Sequence, residues 1–172
     1  MNDEDLKGLL KDIESDRVER KESAYDPVKI RQAICAFAND MPGHNQPGVF
    51  FIGAKDDGGC ANLNITDELL RVLADMRSDG NILPIPVMTV EKKTIDGCSL
   101  AVIVVQPSLF PPVRYKGQVW IRVGPRRATA SSEEERRLNE RRRAKDLPYD
   151  LQPVGSASIK DLDLDVFSHV YL

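Results

Sequence analysis

The sequence predicts an α+β fold, a central mixed β-sheet with helices packed on it, and three observations predict it. The run Gly48-Val49-Phe50-Phe51-Ile52-Gly53-Ala54 is continuously apolar rather than alternating, as in a short central strand covered on both faces. The segment before it places Val28, Ile30, Ala33, Ile34, Phe37 and Ala38 near the helical period, which gives one apolar stripe to lay against a sheet. Farther on, Asp96-Gly97 separates two β-like runs, Val87 to Ile95 and Cys98 to Val105, a strong hairpin signal. Strands separated by helices and then joined by a hairpin imply parallel and antiparallel pairs in one layered α/β arrangement.

In chain order, Asp3 to Ile13 reads as a helix, with Leu6, Leu9, Leu10 and Ile13 on one face and acidic residues in its first turn. Val18 to Lys21 carries little apolar content and fits a short strand at an edge or in a site. Asp26 as cap and Pro27 in the first turn start the next helix, which runs to about Asn39. Asp40 to Pro47 is too broken by proline and glycine for a periodic element and is a loop into the central strand. That strand stops at the turn Asp56-Asp57-Gly58-Gly59, so Asp56 and Asp57 stand at the carboxyl end of a buried strand, where open α/β sheets place ligands.

Thr66 then caps an amphipathic helix, Asp67 to Met76, with Gly80 as its stop. Pro84 and Pro86 form a rigid connector before the hairpin. A crossing from Phe110 to Tyr115 leads to a last strand, Gly117 to Gly124. Ser131 to Lys145 is a charged helix with a capping-box start at Ser131 or Ser132, an acidic first half, a basic second half and almost no apolar stripe. This divides the chain into a domain, residues 1–146, and a connector, residues 147–172. The connector ends on the apolar run Phe167 to Leu172, as though cut from something longer.

Length and composition bound the reading. At 172 residues the chain is long enough for one domain with its own core, and 41% hydrophobic and 30% charged residues are ordinary for a soluble globular protein. No apolar run approaches bilayer length and the acidic start lacks the pattern of a signal peptide, so the expectation is a cytoplasmic protein without membrane contact. Three cysteines, Cys35, Cys60 and Cys98, are an odd number at wide spacing and point neither to a disulfide framework nor to a zinc site. A formal charge of −3 gives no general basic field, and nucleic-acid binding must come from local clusters.

One such cluster has chemistry. Residues two apart on a strand share a face, so Glu19 and Lys21 project together, with Glu14 just before them. If the first two strands are parallel neighbours, Glu19, Lys21 and Asp56 meet in one crevice. Carboxylates and a lysine are the parts that hold a divalent cation such as Mg2+ or Mn2+, activate a water and offset phosphate charge. The bland alternative is surface salt-bridging, common in a chain with 27 acidic residues.

The series Glu14-x-x-x-x-Glu19-x-Lys21, Cys35-Ala36-Phe37-Ala38-Asn39, Phe51-Ile52-Gly53-Ala54-Lys55-Asp56-Asp57 and Val119-Trp120-Ile121-Arg122-Val123-Gly124 resembles the Schlafen-type AlbA-like domain. That domain occurs in bacterial transcriptional regulators, in proteins described as helicases and in animal Schlafen proteins. The resemblance covers roughly Leu6 to Leu138 and implies a nucleic-acid-binding mixed α/β domain, for DNA or RNA. In Schlafen nucleases two glutamates and an aspartate form a metal-dependent RNA-cleaving site, which by resemblance falls on Glu14, Glu19 and Asp56, with Lys21 steadying the phosphate. The chain departs from the pattern at Arg20, where an aromatic or apolar residue is usual, at the longer loop Asp40 to Pro47, and at Lys55, where another aspartate is frequent.

Arg122, Arg126 and Arg127 surround a Gly-Pro turn and are expected, with Lys21, to face phosphates. Glu91, Lys92 and Lys93 read as charges that keep an edge strand from pairing. Trp120 and Tyr115 have base stacking as one role and core packing as the other, and His44 reads as an exposed loop residue. The leading expectation is a nucleic-acid-binding domain of a prokaryotic regulator. The alternatives are a metal-dependent endoribonuclease acting on tRNA or rRNA through Glu14, Glu19, Lys21 and Asp56, and a protein-interaction module whose charged helix docks a partner or a second copy as a homodimer.

Overall fold

A computed structural model describes residues 1–145 and Ser158. The expected connector, Ser158 apart, therefore lies outside the described residues. The elements are α1 (Asp3–Lys11), β1 (Val18–Lys21), α2 (Pro27–Asn39), β2 (Gly48–Ile52), α3 (Asp67–Asp75), β3 (Ile82–Leu83), β4 (Met88–Ile95), β5 (Cys98–Val105), β6 (Arg114–Tyr115), β7 (Gln118–Val123), β8 (Arg126–Thr129) and α4 (Ser132–Lys145). They form two four-stranded sheets, ordered β1-β2-β5-β4 and β3-β6-β7-β8, and the class is α+β.

In the first sheet β1 and β2 are parallel, with Glu19 opposite Phe50 and Lys21 opposite Ile52, while the other pairings are antiparallel. Alternation then sorts β2: Phe50 and Ile52 join Ile30, Ala33, Ile34 and Phe37 of α2, whereas Val49 and Phe51 join Leu6 and Leu10 of α1. Both faces of the strand are covered, which is why its sequence is unbroken apolar. The helix α2 approaches β2 so closely that a Cβ on Gly48 would sit 2.3 Å from Phe37 Cγ. Only glycine fits there. At the hairpin Asp96 and Gly97 have φ of 49° and 79°, the two left-handed residues a tight β4–β5 turn requires. The charged strand β4 is an edge, and Lys92 and Lys93 are held there, by the Ile65 carbonyl and by Asp3 and Glu91.

Three corrections to the sequence reading follow from packing. The first helix ends at Lys11 rather than Ile13, because Asp12 is extended and the buried Arg20 guanidinium donates to the carbonyls of Leu9, Leu10 and Asp12 at 2.8, 2.8 and 2.6 Å. A second sheet exists because the two-residue strand β3 pairs with the two-residue strand β6, and β6 and the arginine-bearing β8 flank β7; none of the three is long enough to carry a period of its own. Third, Cys60 and Cys98 form a disulfide across 38 residues of sequence, with Cα atoms 5.6 Å apart. The chain returning from the Asp56 turn bridges back to Ala54, beside the start of β5, and this brings together two cysteines whose spacing looks unrelated.

The charged helix α4 attaches through one apolar residue. Leu138 is fully buried against Val119 and Ile121, and Arg141 donates to the carbonyls of Asp40 (2.6 Å) and Met41. Its start is the expected capping box: Glu134 N–H donates to Ser131 Oγ at 3.3 Å, and Ser131 N–H to the Glu134 carboxylate at 2.8 Å. No helix among the described residues is long and apolar enough to cross a membrane.

Candidate nucleic-acid interface

Strand β1 lies at the edge of the first sheet, and its neighbour on the open side is the β7–β8 turn. Between them is a crevice of about 220 Å³ lined by Ile13, Val18, Glu19, Arg20, Lys21, Asp56 and Pro125. The parallel β1–β2 pairing therefore brings Glu19, Lys21 and Asp56 together as the strand order implies. Glu14 is exposed and is not among the lining residues.

Within the crevice the charges divide into committed and uncommitted. The Glu19 side chain is 10% exposed; one oxygen accepts from Arg122 Nη1 and the other lies 3.5 Å from Arg127 Nε. Arg122 is more deeply buried, at 3%, and spends its remaining donors on Asp16 O (3.0 Å), Val18 O (3.0 Å) and Pro125 O (2.8 Å), with its guanidinium 5.3 Å from the centre of the Phe37 ring. Burial lowers its pKa from the usual value, and the Glu19 charge opposes that shift. Arg127 donates to Lys29 O at 2.5 Å and to Gln32 Oε1 at 3.4 Å.

The expectation that all three arginines face phosphates does not fit this geometry. Arg122 and Arg127 are direct cross-strand partners, so they share the face of the β7–β8 ribbon that lies over β1 and α2, and both are consumed there. Arg126 alternates to the other side and is exposed. Arg122 also satisfies the carbonyl of Val18 at the β1 edge and that of Asp16 just before the strand, and so ties the two sheets together.

Lys21 is half-buried at the rim, and among the described residues it makes no ion pair. Its carbonyl accepts from Gly53 N and Ala54 N at 2.8 and 3.2 Å, fixing the end of β1 to the start of the Asp56 turn. That turn is closed by Lys55 N to Gly59 O at 2.8 Å and Gly58 N to Lys55 O at 2.9 Å. Gly58 is obligatory, with φ of +83° and the Leu10 carbonyl 2.7 Å from where a Cβ would lie. Arg20, across the turn, is the residue sequence reasoning undervalued: burial lowers its pKa, and Asp12 and then Asp56 act against that. The available signal was its alternation with Glu19 and Lys21, which aims it at α1.

The donor set does not fit a divalent cation as arranged. Both Glu19 oxygens are engaged by arginine, Glu14 stands outside the crevice, and among the described residues no three His, Cys, Asp or Glu side chains are grouped to hold a metal ion. The aromatic candidates are core residues: Tyr115 is 6% exposed and Trp120 packs against the α2 cluster. His44 is exposed but anchored, with Nε2 2.9 Å from Asp16 Oδ2, while Asp40 receives the N–H of His44 and Asn45.

The family model described as Schlafen, AlbA_2 matches residues 14–131, a span that holds every candidate residue above. Among solved structures, the chain is similar to the solution NMR structure of the N-terminal domain of an ATP-dependent DNA helicase RecG-related protein from Nitrosomonas europaea. The identity is 25%, the match covers 77% of this chain and 91% of that one, and the TM-score is 0.50. No curated protein matches.

Proposed function

The chain belongs to the Schlafen, AlbA_2 family, and from that premise we propose that it is a nucleic-acid-binding domain of a prokaryotic regulator that holds a DNA or RNA backbone at the rim of the β1 crevice. The observation that carries the reading is Lys21, a cation without an ion pair among the described residues, at the mouth of a crevice whose arginines Arg122 and Arg127 are already paired. A free ammonium gives up no internal partner when it meets a phosphate, whereas Arg122 would have to abandon four acceptors. Arg126, exposed in β8, supplies a second cation. The similarity to a helicase-related domain supports the same class of partner.

An endoribonuclease reading would require Glu19 to leave Arg122 and Arg127 before it could take a cation, and the binding reading requires no such rearrangement. The charged helix gives little support to a docking module, since Arg136 and Arg137 pair within it, with Glu133 and Glu140.

The test is titration of labelled tRNA, single-stranded RNA and duplex DNA, each in Mg2+, Mn2+ and chelator, with binding and cleavage scored together. Binding should weaken steeply with salt in all three conditions, without cleavage. Lys21→Ala with Arg126→Ala should weaken all sequences about equally and lower the salt slope by about 1.4 to 1.8. An unchanged slope would remove both residues from the interface, and metal-dependent cleavage would restore the nuclease reading.

A further inference from the structure

The Asp56 turn is held by one covalent bond that the binding reading does not use. The turn leaves β2, passes Asp56 into the crevice, and returns as Cys60, which is bonded to Cys98 at the first position of β5. The other restraints on this return are the Ala54–Cys60 bridge, the Lys55–Gly59 and Gly58–Lys55 bonds, Gly59 N to Asp57 Oδ1 at 2.8 Å, and Ala61 N to Gly53 O at 2.8 Å. The residues after it, Asn62 to Thr66, belong to no helix or strand until α3 begins at Asp67. The two sulfurs are not equally accessible. Cys98 is 9% exposed, with the carbonyl of Gly53 3.9 Å from its sulfur, whereas Cys60 is partly exposed.

We infer that Cys60–Cys98 is a redox latch on the nucleic-acid site, closed when oxidised and opened by a dithiol reductant; this rests on the binding reading. A thiolate of the reductant attacks Cys60 Sγ, the S–S bond breaks, and Cys98 leaves as a thiolate that takes up a proton. The second thiol of the reductant then displaces Cys60 from the mixed disulfide. The two electrons come from the dithiol, which departs as its own disulfide, and the protein is left with two thiols. The consequence is local. With the latch open, Ala54 stays in the core, but Lys55 to Asn62, exposed or half-buried, is left with only the few hydrogen bonds of the turn, and the part of the crevice wall that Asp56 forms loses its fixed position. Ordering that wall then falls to the binding step, so affinity drops.

Hydrogen exchange and binding, measured together on the whole chain, test this. Reduction with dithiothreitol should speed exchange over residues 53–62 and the hairpin end of β5 while α2 and β2 stay protected. It should weaken RNA or DNA binding by about tenfold, with recovery on reoxidation. The Cys60→Ser, Cys98→Ser double variant should bind like the reduced chain and ignore the reductant. Equal exchange in the two redox states, or unfolding of the whole domain on reduction, overturns the latch, as does a double variant that still responds to reductant. If the oxidised chain binds neither nucleic acid, the binding reading fails, and the claim that reduction governs this site is overturned with it even where exchange over 53–62 responds. If the oxidised chain binds and reduction changes exchange but not affinity, the latch is overturned and the binding reading stands.

Discussion

Replacing Arg122 with methionine separates a buried tie between two sheets from a surface phosphate ligand. The methionine keeps the long apolar stem but removes the guanidinium over the Phe37 ring and the donors to Asp16 O, Val18 O, Pro125 O and Glu19. What remains is a carboxylate only 10% exposed, with Arg127 at 3.5 Å as its surviving cation. Removing one partner of a buried pair costs about 3 to 5 kcal/mol, because the other charge is left without compensation. For a chain of this size that is about 6 to 20 °C in Tm, at about 2 to 4 °C per kcal/mol. Adding Glu19→Gln should return part of the loss, since an amide is cheaper to bury than an unpaired carboxylate. Urea unfolding of the parent, both single variants and the double variant, followed by far-UV circular dichroism, gives the coupling between the two positions. A loss under about 1 kcal/mol in the single variant, with a fall in nucleic-acid affinity and salt slope, would refute the reasoning and return Arg122 to the phosphate-facing surface.

Two further outcomes rest on the core. Gly48→Ala should destabilise by about 1 to 3 kcal/mol, because its Cβ would lie 2.3 Å from Phe37 Cγ, and Phe37→Leu in the same chain should return part of that; a neutral Gly48→Ala in urea unfolding would mean that α2 does not sit so close to β2. Burial pushes the Cys35 thiol from 9.0 up to about 12, so the unfolded chain loses this proton first. The stability it contributes is intact below pH 9 and is lost as pH rises from there toward 12, by up to about 1.4 kcal/mol per pH unit. Cys35→Ala should remove that part of the alkaline slope in unfolding measured between pH 8.5 and 10.5, and an identical slope in the variant would show that the folded thiol ionises freely.

Much of the fold was legible in residue order because the information is local. Asp26 and Pro27 start α2 and the apolar stripe carries it to Asn39, as observed, since capping and helical period depend only on neighbours along the chain. Asp96-Gly97 makes the hairpin, since two left-handed residues bend the chain back whatever lies elsewhere. The unbroken apolar run of β2 announces helices on both faces without saying which. From that strand and the Glu-x-Lys spacing, the crevice holding Glu19, Lys21 and Asp56 was also readable.

What the sequence could not determine is the direction and partner of each long polar side chain. Arg122, Arg126 and Arg127 look alike in a basic turn, yet strand alternation sends two of them under the ribbon to Glu19 and α2 and leaves one outside. That outcome depends on β1 lying beneath β7, a contact between residues about a hundred positions apart in the chain. Glu14 and Glu19 look equivalent as ligands, but only one lies on the strand that enters the crevice. Cys60 and Cys98 are 38 residues apart and become neighbours only because a turn after β2 doubles back beside β5. Sequence alone determined the longer elements and their apolar faces, because these follow from nearest neighbours and burial, but not the short strands β3, β6 and β8. Tertiary structure decided which charges are spent inside the protein and which remain for a ligand, because a charge is committed only when the fold brings a second group within reach of it.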